Sequence, residues 1–122
     1  MRLYRCDETT GHPITQFGSM NVVISGILRT SGAVQIGRMQ LEPGGLVGYH
    51  QAVGPQLFLV VAGEGWVRGE GPECHAIGPG KAAYWEAGEW HESGSEQGMV
   101  AVVIEGEALD PGRFMHEEVA SD

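Results

Sequence analysis

The chain has 122 residues, 16 of them acidic and 7 basic, and a formal net charge of −9. That length fits one domain with a single buried core and no need of disulfides. The basic residues (Arg2, Arg5, Arg29, Arg38, Arg68, Lys81 and Arg113) are scattered, which excludes the clustered positive face that nucleic acid or an anionic membrane requires.

Twenty glycines fall mostly between short apolar runs, as turn punctuation, and point to an all-β domain. Cys6 and Cys74 stand far apart in no metal or redox spacing and read as reduced thiols. The longest apolar runs, Leu57–Ala62 and Met99–Ile104, are six residues each and too short to span a bilayer. The N-terminus lacks an apolar signal core, so the expected compartment is cytoplasmic.

In chain order, Arg2–Arg5 reads as a short strand and Asp7–Pro13 as a polar loop, with His12 solvated. Asn21–Leu28 is apolar and β-branched and reads as a strand with Gly26 as a bulge. Ala33–Leu41 follows as a longer strand, and Glu42–Gly45 as a sharp turn. Leu46–His50 is a short strand interrupted by Val53–Pro55. Gln56–Ala62 is the most apolar strand and is expected to cross a sheet with both faces covered. Trp66–Gly69 and Glu73–Ile77 form a hairpin around Glu70-Gly71-Pro72. Ala82–Trp85 and Trp90–Glu92 are strands, Ser93–Gly98 a polar loop, and Met99–Glu105 the last core strand. The acidic tail from Gly106 to Asp122 could hold one helical turn near Phe114–Val119. No apolar 3,4,7 spacing persists for three turns, so no major helix is expected. Many short strands with glycine turns leave an open sandwich or a closed barrel.

Two stretches share a grammar. Pro43–Gly65 opens on a Pro-Gly-Gly turn, presents His50 and runs into the Leu57–Ala62 strand. Gly78–Ser93 opens on Gly-Pro-Gly, runs through a strand and a Glu-Ala-Gly turn, and presents His91. The first resembles motif one of the cupin superfamily, with five residues between Gly44 and His50 and six between Gln56 and Gly63. The second resembles motif two, with five residues between Gly80 and Glu86-Ala87-Gly88, and two between Gly88 and His91. The resemblance covers about residues 34–105. It implies a single cupin domain over 1–122: a double-stranded β-helix (jelly-roll) barrel, with N-terminal strands in 1–33 and a tail from 106, commonly dimeric.

The same resemblance names expected ligands and shows that half are replaced. His50 and His91 stand at two metal-ligand positions, while Ala52 and Gln56 occupy the other two. Glu86 stands where motif two has Pro, and Ser95 where it has Asn. His50, His91 and Gln56 could hold a divalent ion (Zn, Ni, Fe or Mn) only weakly, because the neutral amide leaves the ion's charge uncompensated. Metal-free, the histidines could be polar handles or an acid/base pair for a small ligand, or ordinary barrel residues. Candidate pocket walls are Met39, Tyr49, Phe58, Tyr84 and Trp85, which could equally be core. No nucleophile–base signature accompanies Ser93 or Ser95, and no catalytic residue can be named.

Three functions follow as expectations: a small-molecule-binding protein built on His50, Gln56 and His91; a metal-dependent dioxygenase, isomerase or lyase acting on a small anionic metabolite; or a structural module. Each would be a homodimer.

Overall fold

The computed structural model describes residues 1–118. Twelve strands are formed among them: β1 (Arg2–Arg5), β2 (His12–Pro13), β3 (Val23–Ile24), β4 (Val34–Leu41), β5 (Gly45–Gln51), β6 (Gln56–Gly63), β7 (Gly65–Arg68), β8 (His75–Ile77), β9 (Lys81–Trp85), β10 (Trp90–Ser95), β11 (Met99–Gly106) and β12 (His116–Glu118). The helical content of the described residues is two single 3-10 turns, Glu8–Thr10 and Gln16–Gly18. No helix among them is long and apolar enough to cross a membrane.

A six-stranded sheet in the order β12-β1-β9-β6-β11-β4 faces a four-stranded sheet in the order β5-β10-β7-β8, and β2 pairs with β3 alone. This is the double-stranded β-helix expected from the motifs. The inter-sheet core holds Phe58, Val60, Val67, Ile77, Trp85 and Met99, among others. A second cluster, with Tyr4, Leu57, Leu59, Tyr84, Ile104 and Met115, covers the other face of the six-stranded sheet.

The uninterrupted apolar run in β6 follows from these two cores. Successive side chains on a strand point to opposite faces. Phe58 and Val60 therefore enter the inter-sheet core, while Leu57 and Leu59 enter the outer cluster. Beyond Val60 the register with β11 shifts and Val61 has no partner across the ladder. Val61 follows Leu57 and Leu59 onto the outer face but lies outside the cluster there and is exposed, so the apolar run is not buried to its end.

Glycine is required where this strand turns. Gly63 has φ +76°, and a Cβ placed there would sit 2.2 Å from the Gly98 carbonyl oxygen. The closing glycine of motif one is thus a backbone-to-backbone contact between β6 and the turn before β11.

Three expectations are corrected. Of Asn21–Leu28 only Val23 and Ile24 pair, with Pro13 and His12. The rest is a strap: Ser25 Oγ donates to the Asp7 carbonyl at 2.6 Å, and the Phe114 ring lies 2.8 Å from the point where a Gly26 side chain would begin. Those contacts engage the segment locally, leaving Ile27 and Leu28 to pack on the outer cluster. Ser93–Ser95 continues β10 instead of forming a loop, and both serines are buried. Ser95 Oγ donates to the Glu64 carbonyl at 2.6 Å and accepts from Gly98 N at 2.8 Å, which satisfies its hydroxyl inside the fold. The tail turns at residues 111–114, and β12 then pairs with β1 where a helical turn was expected. Val119, the end of that expected turn, lies outside the described residues.

Candidate functional site

His50 and His91 lie 41 positions apart in the chain and directly opposite one another across the antiparallel β5–β10 ladder. Residues so paired have side chains on one face. Their ring centroids are 4.3 Å apart. Gln56 opens β6 and is paired with Trp85 on β9 and Glu105 on β11. Its Nε2 donates to Glu105 Oε1 at 3.1 Å.

These residues meet at a cavity of about 120 Å³, lined by His50, Gln51, Gln56, His91 and Glu105 and by the 52–54 turn. The two histidines differ in setting. His50 is exposed, and its Nδ1 lies 2.7 Å from the Gly48 carbonyl oxygen. A carbonyl only accepts, so Nδ1 carries the proton and Nε2 of the neutral ring is left as an acceptor. His91 is 5% exposed, and its ring centroid lies 4.2 Å from that of Trp85. Burial, reinforced by the neighbouring His50 and opposed by Glu89, pushes its pKa down to about 4. His91 is therefore neutral at pH 7. Its Nε2 and the indole Nε1 of Trp85 are both buried without a hydrogen-bond partner.

The expected walls separate into three groups. Trp85 packs against His91 inside the barrel, and Phe58 meets Trp85 edge-on at 6.2 Å between centroids. Both are inter-sheet core and neither lines the cavity. Met39 packs at the edge of that core beside a neighbouring shallow cleft with Val103 and Glu105. Tyr49 and Tyr84 are on the wrong faces to be walls. Tyr49 stacks on Trp90 at 5.4 Å, with the Arg68 guanidinium 4.3 Å from its ring. Tyr84 belongs to the outer cluster, under Arg2. Strand parity is the reason: Tyr49 adjoins His50 and Tyr84 adjoins Trp85, so each must face away from its neighbour.

Glu105 and Gln51 line the cavity and are absent from the sequence-based set. Glu105 ends the apolar run of β11, and its position opposite Gln56 is a matter of cross-strand register.

A resident divalent ion does not fit this donor set. Among the described residues no three His, Cys, Asp or Glu side chains are placed to share an ion. Ala52, at the second histidine position, is a buried methyl group. The amide oxygen of Gln56 is a neutral, weak donor that offsets none of the ion's charge, so two imidazoles stand where three or four good ligands are usual.

No family model and no curated protein matches the chain. Solved structures do. A cupin superfamily protein from Desulfitobacterium hafniense superposes with a TM-score of 0.57 at 21% identity, over 73% of this chain and 81% of that one. A protein with a double-stranded beta-helix domain from Klebsiella pneumoniae gives 0.55 at 16% identity, over 81% and 84%. A predicted oxalate decarboxylase from Thermotoga maritima gives 0.52 at 25% identity, over 57% and 62%. What the likenesses establish is the arrangement of strands.

Proposed function

We propose that this chain, a cupin by fold, is a small-molecule-binding protein whose ligand enters the barrel mouth at His50, Gln56 and His91. The observation that carries the reading is the His50–His91 pair at the cavity, with a buried, unpartnered Nε2 on His91. A buried ring nitrogen without a partner is costly, and a ligand or a ligand-bridging water relieves that cost. The cavity holds about four waters' share of liquid volume, so it takes a headgroup, with the rest of any larger ligand outside.

A thermal-shift screen of small metabolites tests this. A true ligand raises the midpoint of the wild type and leaves the His50→Ala/His91→Ala double variant unmoved. A midpoint shift that survives both replacements places the ligand elsewhere. The metal-dependent enzyme is the second reading, and its support is the name of the Thermotoga neighbour. Elemental analysis of the same preparation separates the two: stoichiometric metal, lost in the double variant, favours the enzyme. Absence of both ligand and metal favours a structural module.

The chain also forms a homodimer in this reading. Each copy carries −9, so two copies repel except where carboxylates are absent. Residues 9–41 contain no Asp or Glu. The same segment exposes Phe17, Met20, Ile24 and Ile36, an apolar surface that a second copy can cover. Light scattering at micromolar concentration is expected to give twice the 13.0 kDa chain mass, and half that value for Ile24→Glu/Ile36→Glu. A monomeric wild type removes the proposal.

A further inference from the structure

Three side chains around the cavity each have one hydrogen-bond donor engaged by the protein. His50 Nδ1 donates to the Gly48 carbonyl at 2.7 Å, Gln51 Nε2 to the Gly88 carbonyl at 3.0 Å, and Gln56 Nε2 to Glu105 Oε1 at 3.1 Å. Each partner is a carbonyl or carboxylate oxygen, which can only accept. That fixes which nitrogen of the ring is protonated and which end of each amide is NH2. What these residues retain for a ligand is mostly acceptor: Nε2 of the neutral His50 ring, two amide oxygens and the carboxylate of Glu105, against one remaining N–H on each glutamine amide. No Lys or Arg lines the cavity, and Glu105 is its one formally charged residue. The buried His91 adds no positive charge at neutral pH, and the chain as a whole is strongly negative.

The geometry points to a cationic, donor-only headgroup as the ligand class of this pocket: a primary ammonium or a guanidinium. The inference rests on the reading of the cavity as a ligand site. An ammonium carries three donors and a guanidinium five, with no acceptor to clash with the lining. Glu105 neutralises the charge and accepts a charge-assisted bond. A carboxylate or phosphate would meet the same acceptors beside the like charge of Glu105, with no Lys or Arg in the lining to offset its own. Gln56 acts as an adaptor here: the bond from its Nε2 to Glu105 fixes the amide's orientation and leaves its carbonyl oxygen to accept from the ligand. The anionic substrate expected of a metal-dependent enzyme is the class that Glu105, with no Lys or Arg beside it, disfavours.

The test is an NMR titration of the full-length protein, following the imidazole signals of His50 and His91 and the side-chain amides of Gln51 and Gln56. The probes are methylammonium, ethanolammonium and methylguanidinium, against acetate and phosphate at constant ionic strength. Saturable shifts with at least one of the cations and none with the anions are expected. Glu105→Gln removes the charge and keeps an acceptor for Gln56, and is expected to weaken cation binding by about tenfold or more. Cation binding unaltered in that variant overturns the inference, as does a response to zinc alone. Saturable binding of acetate or phosphate at these signals also overturns it, while leaving the cavity a ligand site. If no probe and no metabolite moves them, the inference and the underlying reading fall together.

Discussion

Val60→Asp is expected to leave no folded protein in water at 25 °C. Val60 is 1% exposed, in the inter-sheet core of β6, an interior strand of the six-stranded sheet. The substitution forfeits roughly 2 kcal/mol of apolar burial. It also places a carboxylate where no cation or donor faces it, at a cost of at least several kcal/mol more. Together these are comparable to the whole stability of a small domain, about 5–15 kcal/mol. Val102→Asp is the informative control. Both valines sit inside six-residue apolar runs and look equivalent along the chain, yet Val102 is only half-buried, at the border of the outer cluster. Its carboxylate can reach water, so that variant is expected to fold with a lowered urea midpoint. Near-UV circular dichroism with urea titration checks both. A native spectrum for Val60→Asp would refute the placement of β6.

The contrast between these valines marks what was legible in the chain and what was not. Glycine turns and short apolar runs carried the all-β class, and the spacings around His50 and His91 carried the barrel. Those signals are local, so they survive without coordinates. Cross-strand register is not local. Nothing near Glu105 in sequence says that it stands opposite Gln56, and nothing near Val61 says that the register with β11 shifts there. The misplacement of Tyr49 and Tyr84 is of another kind: alternation alone could have put both behind their neighbours, once His50 and Trp85 were taken as inward. Ser93–Ser95 reads as a loop because serines in a strand look unsatisfied, and the Glu64 and Gly98 partners of Ser95 come from other parts of the chain. The 21–28 strap misleads similarly, since its β-branched residues fit a strand while Ser25 and Gly26 are held by the loop after β1 and by Phe114.

The second large effect is acid lability carried by His91. Its folded pKa of about 4 lies below the ordinary histidine value of 6.5. Between those values the unfolded chain binds a proton at this position that the folded chain refuses. Stability therefore rises with pH across that window and is lost as pH falls through it, by up to about 3 kcal/mol in all. The cause is burial against Trp85, reinforced by His50 and opposed by Glu89. Asp7 runs in a lower window. The Thr9 hydroxyl and amide hold its carboxylate below the usual range, so its contribution goes only as pH falls beneath about 4. His91→Phe keeps a ring beside Trp85 and removes the titration. Urea unfolding at a series of pH values should show wild type losing stability relative to this variant from about pH 6.5 down to 4, with a constant difference above pH 7. Parallel curves for the two proteins across that range would mean that the His91 ring reaches solvent in the folded state. The unpartnered nitrogen on which the ligand site is argued would then have water as its partner.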